Sequence, residues 1–269
     1  MPADQLFARG LLALTHRLAQ IGRRLAQAIR KLGSVVLFLL TMLQAMPYAL
    51  RRPRLVTVQI HNAGVLSLVI IMTSGFFVGM VVGLQGYDAF SRLRQEDLLG
   101  AAAALSLIKE LGPVVTALLF AGRAGTALTA EIGLMKATDQ LSAMEVMAID
   151  PMGRIVAPRF LGGLIAVPFL TALFNSVGIP GAYFVGVPLM GVDNGAFWSQ
   201  MQEYVASGDI REGIIKSLAF GGAASLVAVF EGYTADRTAE GVGLATTRTV
   251  VVTSVLVLIL DYMITSFLL

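Results

Sequence analysis

Five stretches of this chain, near residues 62–86, 98–123, 158–180, 212–234 and 247–268, stay apolar over about 20 residues, the length a helix needs to cross a bilayer. Lipid offers no partner to a backbone N–H or C=O, so a segment that long inside it has to satisfy its own hydrogen bonds. A helix does this, and an irregular loop does not. Of the 269 residues, 56% are hydrophobic and 14% charged, whereas a soluble domain carries about 25% charged residues. The expected fold is an all-α polytopic membrane protein. A shorter apolar segment, 34–50, carries Pro47 and runs into Arg51, Arg52 and Arg54. It reads better as a membrane-embedded elbow or re-entrant helix than as a sixth span.

Loop charge gives an orientation. Residues 1–60 hold nine Lys or Arg and one acid, Asp4. The loop 136–159 has Lys136, Arg154 and Arg159, and 235–248 has Arg237 and Arg248. The long loop 181–211 has only Arg211 against Asp193, Glu203 and Asp209. Basic residues collect on the cytoplasmic side. With five spans, the N-terminus is expected in the cytoplasm and the C-terminus outside. No cleavable signal peptide is visible, because residues 1–33 form a basic amphipathic stretch without an apolar central region. Phe7, Leu11, Leu14, Leu18, Ile21, Leu25, Ile29 and Leu32 fall on one helical face, with Arg9, Arg17, Arg23, Arg24, Arg30 and Lys31 on the other. Such a helix beside a span lies in the headgroup plane. The chain thus divides into an interfacial helix, 1–33, and a transmembrane domain, 34–269.

Several charges fall within the spans, where they are costly and are usually kept for function. Counting about 1.5 Å per helical residue from the charged residues at the inner edge puts Lys109, Glu110, Lys216 and Asp261 at one height, roughly 20 Å above that edge. A second tier of Arg123, Glu131, Glu231 and Arg248 lies near the inner surface. Salt bridges between helices without any transport role would also explain such residues; two tiers together favour a polar cavity open towards the outside. Small residues recur four apart at Gly75, Gly79 and Gly83, and at Ala121, Gly125, Thr129 and Gly133. Ridges of this kind let helix backbones approach closely, within one subunit or across a dimer.

After the second span the chain turns polar. The segment KATDQLSAMEVMAIDP, residues 136–151, has too many polar groups for lipid, and its helical part, about 138–147, can dock a membrane subunit onto a soluble engine. Leu141, Met144 and Met147 share a face, while Asp139, Gln140 and Glu145 are polar. No enzymatic motif accompanies it. There is no cysteine for thiol chemistry, no metal-ligand cluster, no catalytic triad and no phosphate-binding loop of the G-x-x-x-x-G-K-[ST] type. No cofactor is expected, and the basic residues do not form a nucleic-acid stripe.

The run ELGPVVTALLFAGRAGTALTAEIGLMKATDQLSAMEVMAIDP, residues 110–151, resembles the signature region of MlaE-type permeases. These are the membrane subunits of bacterial Mla (maintenance of lipid asymmetry) transporters, related to lipid-import permeases of chloroplasts and mycobacteria. The matching features are Glu110-x-x-Pro113, Ala121-Gly122-Arg123-x-Gly125, Ala130-Glu131-x-Gly133-x-Met135, Gln140-x-x-Ala143-Met144 and Asp150-Pro151. The family commonly has Glu-Gln where this chain has Asp139-Gln140. The resemblance implies a homodimer in a bacterial inner membrane. It also implies a coupling helix seated on a cytoplasmic ABC ATPase, a small STAS-domain protein on that ATPase, and a periplasmic ring of lipid-binding MCE subunits. The implied cargo is a glycerophospholipid moved between the inner and outer membranes. Lys109, Glu110, Lys216 and Asp261 are then the expected lipid-binding residues, and Asp139, Gln140, Leu141, Met144 and Met147 the expected ATPase contacts. The residues alone leave two other classes open: a secondary transporter with the carboxylates as a proton relay, and a non-transporting scaffold.

Cysteines introduced into this cysteine-free chain test the arm directly. Leu14→Cys and Ile21→Cys should react with aqueous thiol reagents far more slowly than Arg17→Cys and Arg24→Cys when the protein is in an anionic bilayer. Equal rates at all four positions would remove the flat interfacial helix.

Overall fold

The computed structural model describes residues 29–268; the arm predicted over residues 5–32 lies outside them as far as residue 28. The chain divides into two units at Gln44. The helix α1 (Ile29–Leu50) begins in the first. The rest follows as α2 (Pro53–Ala63), α3 (Leu68–Ser91), a continuous helical run α4 (Glu96–Ala137), the short α5 (Gln140–Val146), the long run α6 (Met152–Leu189), α7 (Asn194–Tyr204), α8 (Ser207–Thr234) and α9 (Ala239–Leu268). There is no strand among the described residues. Among the described residues, six helical runs are long and apolar enough to cross a membrane: α1, α2 with α3, α4, α6, α8 and α9. The protein is an all-α polytopic membrane protein. Its first apolar helix, 22 residues, begins five residues before the segment taken from the sequence as an elbow.

Glycine decides which helices touch. Gly75, Gly79 and Gly83 are all buried on one face of α3. A Cβ added at Gly75 would lie 2.8 Å from the Phe174 carbonyl oxygen, and one at Gly83 equally close to that of Ala182. At Gly79 it would overlap the Gly178 carbonyl. The first small-residue ridge therefore packs α3 onto α6 within one subunit, backbone to backbone. The second ridge joins α4 to α8 and α9. Thr129 Oγ1 lies 3.0 Å from the Ala228 carbonyl and 2.8 Å from the Thr249 hydroxyl. A Cβ added at Gly133 would lie 3.1 Å from a methyl of Val242. These contacts replace the hydrophobic drive that lipid cannot supply.

Two wide turns, with hydrogen bonds running to the fifth residue rather than the fourth, interrupt α4 at Ser106–Leu111 and Ala121–Gly125. The first has an identifiable cause. Pro113 has no N–H to give the carbonyl four residues earlier, that of Lys109, and its ring crowds that oxygen. The helix widens there, as insertions of this kind do at functional positions.

The polar segment after α4 is built from turn chemistry. The Thr138 hydroxyl donates to the Leu134 carbonyl at 2.9 Å. Asp139 takes a left-handed conformation, φ +55°, which Asp tolerates better than most residues. After α5 the Asp150 carboxylate accepts from Met152 N (3.0 Å) and Gly153 N (2.9 Å), starting α6 beside Pro151. At the other end, the Asp193 carboxylate accepts from Ala196 N at 2.7 Å and caps α7. Phe197 of α7 is fully buried against Leu99 and Val192, with Tyr183 and Trp198 stacked around it.

The ridge gives a stability test with a built-in control. Gly79→Ala should cost about 2 kcal/mol or more, since α3 and α6 have to separate. Gly243→Ala, where a new Cβ meets nothing within 4 Å, should be neutral or stabilise by roughly 0.5–1 kcal/mol through helix propensity. Equal thermal midpoints for both variants in detergent would remove the backbone contact.

Candidate functional site

Lys216 is the centre of the site. It sits on α8, one turn after Gly213, whose missing side chain lets α8 rest on the Ile108 carbonyl of α4. The Lys216 side chain has no exposed surface. An ammonium so placed needs partners for its charge and for its three N–H groups. It donates to Glu110 Oε1 at 2.8 Å and to the Lys109 carbonyl at 2.9 Å. The second acceptor is the carbonyl that Pro113 leaves without a helical donor, so the lysine takes the place of the absent N–H. Asp261 Oδ1 of α9, at 3.4 Å, makes an ion pair without hydrogen-bond geometry. Glu212 Oε1 stands at 3.5 Å, one turn earlier on α8.

Lys109 is the second cation. Its Nζ lies 3.0 Å from Glu212 Oε2 and 3.1 Å from Asp209 Oδ1. Asp209 also accepts from Ala206 N at 2.9 Å at the start of α8. Glu212 thus bridges the two lysines. The four residues placed at one height from the sequence, Lys109, Glu110, Lys216 and Asp261, meet in one network from α4, α8 and α9.

Asp209 and Glu212 were missed. Asp209 was counted with the preceding loop, and Glu212 was not considered. Their spacing was the signal: Asp209, Glu212 and Lys216 are three and four apart, so they share a helical face.

Two cavities flank the network. One of about 240 Å³ is lined by Lys109, Asp209, Arg211, Glu212 and Leu268. The other, about 290 Å³, lies between α4, α6 and α8 and is mostly apolar, with Ile108, Ile179 and Ile214 on its wall. Buried Thr171 Oγ1 and Asn175 Oδ1 of that wall have no hydrogen-bond partner among the described residues.

The second tier is not one cluster. Glu131 of α4 pairs with the buried Arg159 of α6, at 3.0 Å from NH2 and 3.3 Å from Nε. Arg159 had been counted as an ordinary loop-edge cation. Arg123 donates instead to the Asn62 carbonyl (2.6 Å) and to Ser67 Oγ (3.2 Å), at the break between α2 and α3. Glu231 is buried on α8 and Arg248 is exposed on α9. Among the polar-segment residues, Asp139 pairs with Arg237 at 3.0 Å on the exposed surface, and Gln140 donates to the Thr138 hydroxyl at 3.0 Å. Leu141 turns into the subunit and is 5% exposed. Met144 is half-buried, so the outward apolar face belongs to Val146, 88% exposed, and Met147, 61% exposed. Val146 was overlooked because it lies outside the three-residue spacing of Leu141, Met144 and Met147.

Comparison with known proteins fits this architecture. The family model "Permease MlaE" matches residues 56–267. The chain is 50% identical over 254 residues to the intermembrane phospholipid transport system permease protein MlaE of Haemophilus influenzae, covering 94% of this chain and 97% of that one. It is 36% identical over 210 residues to a probable ABC transporter permease protein of Rickettsia typhi, with 78% and 81% covered. It is also 32% identical over 209 residues to the chloroplastic protein TRIGALACTOSYLDIACYLGLYCEROL 1 of Arabidopsis thaliana, with 78% and 60% covered. A multi-pass helical chain, with charges gathered inside its spans and a polar helix between two of them, thus belongs to the MlaE permease family.

Proposed function

We propose that this chain is the permease subunit of an ABC transporter that moves glycerophospholipids between the inner and outer membranes. The observation that carries the reading is the 50% identity, over almost the full length of both chains, to a protein named for intermembrane phospholipid transport. The buried charged network supports it physically. A phospholipid needs charged groups for its phosphate and apolar walls for its chains. Lys109 lines the polar cavity, and the apolar one is walled by its neighbour Ile108 and by Ser217, next to the buried Lys216. Both lysines are already paired, so an arriving phosphate has to compete with Glu110, Asp261 or Glu212 for them. That competition makes the site reversible.

The reading includes the remaining parts. The permease works as a homodimer in the inner membrane, with its N-terminus in the cytoplasm and its C-terminus in the periplasm. α1 is a membrane elbow: Arg30 and Lys31 at one end and Arg51, Arg52 and Arg54 at the other favour the cytoplasmic side for both flanks. α5 is the coupling helix on a separate cytoplasmic ABC ATPase, which a small STAS-domain protein attends, and a periplasmic ring of lipid-binding MCE subunits sits at the α7 side. The permease carries no ATP chemistry of its own.

Two experiments test this. Reconstituted with its ATPase and the lipid-binding ring, Lys216→Ala should lower ATP-driven phospholipid transfer at least tenfold, about 1.4 kcal/mol. It leaves Glu110 and Asp261 without their cation. Ile259→Ala on α9 should transfer lipid normally; equal rates for the two variants would leave the network a structural one. For coupling, Val146→Asp with Met147→Asp should detach the ATPase in co-purification while the permease keeps its thermal midpoint. Leu141→Asp is the wrong probe, since that side chain is buried within the subunit itself. An intact complex with full transfer in the double variant would place coupling elsewhere.

A further inference from the structure

The Arg123 guanidinium holds a charge that no carboxylate among the described residues neutralises. Its two hydrogen bonds, to the Asn62 carbonyl and Ser67 Oγ, are both from NH1 and both to neutral acceptors. Among the described residues no carboxylate lies within ion-pair distance of it. The C-terminal carbonyls of α2 supply a partial negative charge, which offsets only a fraction of a full cation. Nε and NH2, with three further N–H groups, have no acceptor among the described residues.

The surroundings are those of a ligand site. Arg123 lines a cavity of about 240 Å³ with Asn62, Leu66, Ala127, Leu128 and Glu131. Glu131 is not a rival for the arginine, because Arg159 already holds its carboxylate from two nitrogens. One rim is apolar and open: Val65, Leu66 and Val69 are 47%, 56% and 79% exposed. Val65 and Leu66 lie at the break between α2 and α3 and Val69 opens α3, all within the apolar run Pro53–Ser91, so the cavity opens sideways towards lipid at that break. Arg123 itself stands on the second wide turn of α4, about 20 Å along the helix from Glu110. It therefore belongs to neither the lysine network nor its flanking cavities.

We propose that this cavity binds the phosphate of a phospholipid from the membrane leaflet at the α5 end of the spans. The open guanidinium edge takes two phosphate oxygens side by side, a geometry that a lysine could not match. The acyl chains lie along Val65 and Val69. This is a second lipid site, separate from the lysine network, and it does not depend on the transport reading.

A tryptophan reporter tests it on the full-length chain in nanodiscs. Val65→Trp places the indole on the rim without lining the cavity. Brominated phosphatidylglycerol should quench it with about tenfold higher apparent affinity than brominated diacylglycerol, which lacks the phosphate. Arg123→Gln should abolish that preference, and Arg123→Lys should recover only part of it. Ala127→Phe fills the cavity without touching the Asn62 and Ser67 bonds, so it should abolish the preference while the thermal midpoint stays unchanged. That pair of readings separates a binding role for Arg123 from a purely structural one. If the preference survives Arg123→Gln or Ala127→Phe, there is no such site. If excess inorganic phosphate removes the preference, the cavity takes free phosphate and the lipid assignment is wrong.

Discussion

A lysine with no exposed surface, held inside a membrane helix bundle, organises the centre of this protein. An unpaired ammonium there would cost several kcal/mol, so α4, α8 and α9 each bring a carboxylate or a carbonyl to Lys216. Local features of two helices exist to serve it. Gly213 lets α8 approach α4, Pro113 frees the Lys109 carbonyl, and the wide turn at Ser106–Leu111 aims Lys109 and Glu110 towards α8. Sequence, backbone irregularity and charge pairing are here one arrangement. The same wide turn would be a defect in an ordinary span.

The network differs from a structural salt bridge in its stoichiometry. Two lysines face Glu110, Asp209, Glu212 and Asp261. No lysine is committed to a single partner, and Glu212 is shared between them. A structural pair gains from one fixed, close geometry. A site that must accept and release a charged headgroup gains from alternatives of similar energy, because an incoming phosphate then replaces one contact without leaving a buried charge bare.

Much of this was legible beforehand. Apolar length located the five spans read from the sequence, and counting 1.5 Å per residue brought Lys109, Glu110, Lys216 and Asp261 to a common level even though two wide turns interrupt α4. The same count grouped Arg123, Glu131, Glu231 and Arg248, yet these do not form one cluster: equal height says nothing about which way a side chain points. Arg159 was hidden by its place at the start of a span, where basic residues are ordinary. Leu141 showed how periodicity finds a shared face without saying what covers it. An apolar stripe on a short polar helix may be claimed by the parent subunit, and only the packing of α5 reveals that Val146 and Met147 are the ones left outside.

The contact between α3 and α6 has a mechanical consequence. Where helices meet through large side chains, rotamer changes let them slide or roll against each other. Here carbonyl oxygens of α6 sit against bare Cα atoms of α3 at three successive turns, and no rotamers are available to change. The two helices are a single stiff beam. Any rearrangement that opens or closes the subunit has to bend elsewhere, and the two wide turns of α4, one at the lysine network and one at Arg123, are where the helical backbone already departs from a regular pitch.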